Sequence, residues 1–163
     1  MKNNRLLVFS LIIFFLTPLC INAPLENWNS NIKTANTRLE RGIEYYNLAS
    51  YYYSIQDMEN ATIYAERSIV ELSIASNSIK NAINEAHNSR KDWLVLYTEH
   101  YSKKVQALIN AANEIKKLRD YYYNGQENEI IMSIENIRKY ENEFKVSDTK
   151  MKDIKRENIS EFQ

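Results

Sequence analysis

The stretch Leu25–Ser89, LENWNSNIKTANTRLERGIEYYNLASYYYSIQDMENATIYAERSIVELSIASNSIKNAINEAHNS, decides the fold. In its first half, residues recur at alternating spacings of three and four: Leu25, Trp28, Ile32, Ala35, Leu39, Gly42, Tyr46, Ala49, Tyr53. The second half repeats the rhythm with Met58, Ala61, Ala65, Ser68, Leu72, Ala75, Ile79, Ala82, Ala86. Three-four spacing places each series on one helical stripe, the seam of a coiled-coil-like contact. Folding the chain at Gln56-Asp57 brings the seams into register. Tyr53 then faces Ala61, Tyr46 faces Ser68, Gly42 faces Leu72, Leu39 faces Ala75, Ala35 faces Ile79, Ile32 faces Ala82 and Trp28 faces Ala86. Every layer but Ala49 against Ala65 sets a large side chain against a small one. Dense interiors need that compensation of volumes, and two unrelated amphipathic helices have no reason to show it. The stretch is an antiparallel helical hairpin.

The whole chain agrees with an all-α fold. It has 163 residues, enough for a single domain with a real core, and only two glycines and two prolines. Neither occurs between Ile43 and Asn124, although strands and tight turns use them repeatedly. Twenty-one basic residues balance twenty-one acidic ones, so no global charge points to nucleic acid.

Downstream, Ser89 and Asp92 have the spacing of a capping box that opens a third helix. Its stripe is Leu94, Tyr101, Val105, Leu108, Ala112, Ile115 and Tyr122, and Asn124-Gly125 is a helix stop. A fourth helix carries Ile130, Ile134, Ile137, Tyr140 and Phe144, with Met151 and Ile154 extending the pattern. Pairing it back on the third sets Tyr122 near Ile130, Ile115 near Ile137 and Leu108 near Phe144. The expected architecture is a four-helix up-down-up-down bundle of long antiparallel helices. The run Ser73, Ser76, Asn77, Ser78 is the one place where the second helix could break.

The segment Tyr45–Ser68 also resembles a tetratricopeptide repeat. Tyr45, Leu48, Ala49, Tyr52, Ala61, Ala65 and Ser68 fall at that family's spacing, with serine in place of the last alanine. The triplet Tyr51–Tyr53 recurs at Tyr121–Tyr123, about two repeat lengths on. The resemblance covers about one repeat. It implies an alternative fold of shorter helical hairpins and a protein-interaction role.

The N-terminus has an export signature: Lys2 and Arg5 precede the apolar run Leu6–Leu16, followed by Thr17 and Pro18. Three fates are open: cleavage after Ala23, retention as an anchor, or lipidation at Cys20. Positive charge at the start keeps the N-terminus inside in each case, so the domain is expected outside the cytoplasmic membrane. The expected organisation is residues 1–23 as signal peptide or anchor, 24–146 as the helical core, and 147–163 as a charged helical extension or tail. No cysteine follows Cys20, so helix packing alone must hold the domain.

The sequence contains no arrangement that points to catalysis or to a cofactor. His87 follows Glu85 by two residues and His100 follows Glu99 directly, and neither spacing sets carboxylate and imidazole on one helical face. No phosphate-binding glycine loop or nucleophile elbow is present. Asn60-Ala-Thr62 and Asn158-Ile-Ser160 match the glycosylation sequon. Trp28 and Trp93 fit either core anchors or a membrane interface.

The tyrosines carry more. Nine of the twelve lie near the ends of helices one and three or the start of helix two, which converge in an up-down bundle. Three consecutive tyrosines cannot all face a core. Tyr53 and Tyr122 belong to the stripes, whereas Tyr51, Tyr52, Tyr121 and Tyr123 are candidates for a partner-binding patch, with Asn124 and Gln126 at its rim. The expected function is an exported or membrane-tethered binding or scaffolding module whose partner is a protein. Membrane contact is expected only through residues 1–23, and self-association is left open. A sensory or stalk bundle working with a membrane partner is the second expectation.

Overall fold

The computed structural model describes residues 25–161. Four long helices follow one another: α1 (Glu26–Ser54), α2 (Met58–Asn88), α3 (Asp92–Tyr123) and α4 (Glu127–Glu157), with a short 3-10 turn at Ile159–Glu161. They have 29, 31, 32 and 31 residues, or about 45 Å each at 1.5 Å per residue. Such helices are about twice as long as the two of a 34-residue repeat can be. The fold is therefore an all-α four-helix bundle and not an array of tetratricopeptide-like hairpins. The expected export segment, residues 1–23 with Cys20, lies outside the described residues, and so does Pro24.

The hairpin seams are the core. Of the α1 stripe, Leu25, Trp28, Ile32, Ala35, Leu39, Gly42, Tyr46 and Ala49 are buried, and so is the whole α2 stripe from Met58 to Ala86. The register is visible at its tightest layer. A Cβ on Gly42 would lie 2.6 Å from Leu72 Cγ and Cδ2, and the Ser68 hydroxyl donates to the Gly42 carbonyl at 2.7 Å. Only a glycine lets the backbones approach that closely. On the other side of the molecule, Lys104 donates to Asp148 at 2.6 Å and Lys91 to Glu161 at 2.6 Å, which sets Leu108 level with Phe144.

Most packing joins neighbours in sequence, α1 with α2, α2 with α3 and α3 with α4, while α1 also touches α3. Ion pairs Glu66–Lys116 and Glu59–Arg119 run α2 antiparallel to α3. Polar pegs tie α1 to the second half of the chain. The Trp28 indole N–H donates to Thr98 Oγ1 at 3.0 Å, the Tyr101 hydroxyl to Asn36 Oδ1 at 2.6 Å, and the Tyr46 hydroxyl to Glu141 Oε1 at 2.8 Å. Burial, together with the Glu141 carboxylate, pushes the Tyr46 phenol well above its ordinary pKa, so it stays a donor. Trp28 is thus a core anchor and not a membrane-interface residue.

Two helix ends share one solution. At the end of α1 the Asp57 N–H donates to Tyr52 O and the Gln56 N–H to Tyr53 O, with Gln56 at φ 63°. At the end of α3 the Gln126 N–H donates to Tyr121 O and the Gly125 N–H to Tyr122 O, with Gly125 at φ 66°. Both are Schellman motifs, which satisfy carbonyls that the helix leaves unpaired. Asp57 then caps α2 by accepting from the Asn60 N–H at 3.1 Å.

Three local expectations are corrected. The helix α2 runs without interruption through Ser73–Ser78, where the Ser73 hydroxyl folds back onto the Ile69 carbonyl at 2.7 Å. Ser89 does not open α3: its hydroxyl donates to Ala86 O and accepts from the Lys91 N–H, closing α2, and Lys91 begins α3 without a side-chain cap. Tyr122 is 43% exposed and not a core residue. Leu118 is the last buried residue of α3, and α4 has none before Ser133, so the final turn of α3 projects past the last packed layer.

Candidate interaction surface

The helix pairings put residues 51–63 and 119–133 at one level, so the α1–α2 and α3–α4 turns form one tip of the bundle. Its tyrosines divide into two kinds. Tyr52 is half-buried against the core, and its ring stacks on Tyr64 at 5.3 Å with only 2° between planes. Tyr45 adds to that stack at 6.3 Å, and the Arg67 guanidinium sits 5.2 Å over Tyr64. These rings fill the groove between α1 and α2. Tyr53 is also half-buried, and burial raises its pKa. Tyr51, by contrast, is 50% exposed and meets Tyr52 edge-on at 5.4 Å. On α3, Tyr121 is half-buried, Tyr123 is 62% exposed, and Tyr122 and Tyr123 meet edge-on at 5.6 Å. Asn124 and Gln126 are exposed.

Of the six residues singled out from sequence, four therefore present surface at the tip, Tyr52 is shared with packing and Tyr121 is half-buried. Sequence reasoning misses Tyr122, Ile55, Ile63, Ile131 and Met132, which are exposed at the same tip. Ile131 and Met132 are legible in principle, since both fall off the Ile130, Ile134, Ile137 stripe. Of the twelve large apolar residues exposed among the described ones, seven belong to this tip: Tyr51, Ile55, Ile63, Tyr122, Tyr123, Ile131 and Met132. The remainder are spread along the helices.

Comparison with known protein families, curated proteins and solved structures finds no match to the chain.

The other polar candidates have local roles. His100 is partly covered, and burial with the Lys103 and Lys150 charges lowers its pKa. Among the described residues no three His, Cys, Asp or Glu side chains converge as metal ligands. The Asn60 amide donates to Asp57 Oδ2 at 2.7 Å and the Asn158 amide to the Ile154 carbonyl at 2.8 Å, so both sequon asparagines are engaged in helix-end contacts. No helix among the described residues is long and apolar enough to cross a membrane.

Proposed function

We propose that the protein is an exported or membrane-tethered binding or scaffolding module rather than an enzyme, and that it contacts a protein partner through the tip. The observation that carries this reading is the gathering of exposed Tyr51, Ile55, Ile63, Tyr122, Tyr123, Ile131 and Met132 at one end of the bundle, seven of the twelve large apolar residues exposed among the described ones. Folding gains nothing from leaving large apolar side chains in water, whereas at a contact surface tyrosine supplies area at little entropic cost and methionine an adaptable apolar contact. The export-type residues 1–23 support a location outside the cytoplasm, with α1 leading away from the membrane.

The test separates contact from packing. Tyr51→Ser and Tyr123→Ser should abolish recovery of envelope partners by the tagged full-length chain while the melting temperature stays nearly constant. Tyr52→Ser should lower the melting temperature, because it breaks the Tyr52–Tyr64 stack. Unchanged recovery with Tyr51→Ser and Tyr123→Ser combined would refute the tip as the contact surface.

A further inference from the structure

The neutral total charge conceals a polar molecule. Within residues 41–71 and 105–144, the half that holds the tip, seven basic residues face twelve acidic ones; in the other described residues twelve basic ones face nine acidic. The imbalance is sharpest at the tip itself. Residues 51–63 and 119–132 contain Asp57, Glu59, Asp120, Glu127 and Glu129 but a single cation, Arg119. That cation is already committed, bonding Asp120 Oδ1 at 3.1 Å and approaching Glu59 Oε2 at 3.7 Å. Glu59, Glu127 and Glu129 stand in the first turns of α2 and α4, where the helix ends favour negative charge. The tip thus joins exposed aromatic and aliphatic side chains to a surplus of carboxylates.

We propose that the tip receives a basic amphipathic segment of a partner protein, one that sets lysine or arginine beside apolar side chains. This rests on the tip being the contact surface. Charge complementarity selects the occupant: carboxylates attract the cations and steer encounter, while exposed tyrosine faces accept both apolar groups and cations. The same charge opposes the other candidates. An anionic lipid surface or a nucleic acid meets like charge, and so does a second copy docking tip to tip.

The test uses the full-length chain and three synthetic peptides of about 18 residues, five helical turns. One is an amphipathic Lys/Leu peptide, the second replaces its lysines by glutamate, and the third replaces its leucines by glutamine. At about 0.15 M salt, which screens exposed charges beyond about 8 Å, only the Lys/Leu peptide should bind saturably at one per chain. Tyr51→Ser with Tyr123→Ser should weaken it about tenfold or more. Glu127→Lys with Glu129→Lys should weaken it similarly and admit the Glu/Leu peptide, with Glu127→Gln and Glu129→Gln as the milder pair should the lysines unfold α4. Glu26→Lys with Glu40→Lys and Glu157→Lys, in the opposite half, should leave binding unchanged. Loss with that remote set, or equal binding of the leucine-free peptide, would overturn the proposal by showing charge attraction alone. Self-association abolished by the tip variants would overturn it in favour of a second copy. Binding of no peptide while Tyr51→Ser and Tyr123→Ser still release the envelope partners would overturn the basic class and leave the contact surface standing; insensitivity of those partners would remove both.

Discussion

Gly42 and Gln56 show how far single residues are written into the architecture. The glycine stands where Leu72 leaves no room, since even the methyl of Gly42→Ala would sit 2.6 Å from Leu72 side-chain carbons. The leucine must move, and overpacking of this kind costs about 1–3 kcal/mol, against about 1 kcal/mol gained from the better helix former. Leu72→Ala alone should cost about 2–5 kcal/mol by opening a cavity. In a urea-denaturation cycle, Gly42→Ala combined with Leu72→Ala should therefore be more stable than the two separate losses add up to. Strict additivity would mean that the layer is not shared. Gln56 presents the opposite case. It holds φ 63°, where a side chain is strained, in the same motif that α3 closes with Gly125. Gln56→Gly should stabilise by about 0.5–1 kcal/mol and Gly125→Gln should destabilise by about as much, both read from the denaturation midpoint.

Individual helices are legible in the sequence to the degree that their burial is one-sided and local. The seams of α1 and α2 pair from sequence alone because glycine, alanine and serine recur opposite bulky residues, a pattern that only mutual packing explains. The stop at Asn124-Gly125 and the cap at Asp57 are likewise legible, being chemistry within a few residues. Periodicity misplaces Tyr122 because it states which face a residue shares but not where the covering helix ends. Spacing misassigns Ser89 because its hydroxyl serves the helix behind it as readily as the one ahead. The α3–α4 pair is hardest, as Ile130, Ile134 and Ile137 are apolar yet only partly covered. Its firmest clasp is polar. Lys104 is buried with its ammonium 4.9 Å over the Phe144 ring and bonded to Asp148. Burial alone would raise the Asp148 pKa, but the Lys104 charge and hydrogen bond, with Lys152, hold it below the ordinary carboxylate value. Asp148→Asn should cost about 3 kcal/mol by stranding the buried ammonium, and Lys104→Met, which keeps the stem on Phe144 and leaves Asp148 its bond to Lys152, about 1 kcal/mol. Because the folded pKa is depressed, this stabilisation is present above the unfolded carboxylate value of about 4 and is lost as pH falls below it. Wild type should thus lose stability more steeply than Lys104→Met on acidification, and parallel profiles would show the pair to be inert.

At the scale of the molecule, the long axis orders everything proposed for the chain. The first described residue, Leu25, lies at the end opposite the tip, and α1 leads about 44 Å away from it. If residues 1–23 hold the protein at a membrane, the acidic, tyrosine-bearing tip is carried clear of the lipid surface. Its carboxylates reinforce that stance, since anionic headgroups repel them, while the basic half, with Lys150, Lys152, Lys155 and Arg156, lies towards the lipid side. An upright orientation follows from charge and geometry together. It can be measured on the full-length chain in vesicles with an acceptor dye in the lipid and a donor placed by an unnatural amino acid at position 26 or position 126, both exposed. Energy transfer should be strong from position 26 and weak from position 126, and the contrast should diminish at about 1 M salt, where screening within about 3 Å frees the bundle to tilt. Equal transfer from the two positions in dilute salt would mean that the bundle lies flat, with its tip at the lipid, and the outward-facing role of the tip would have to be abandoned.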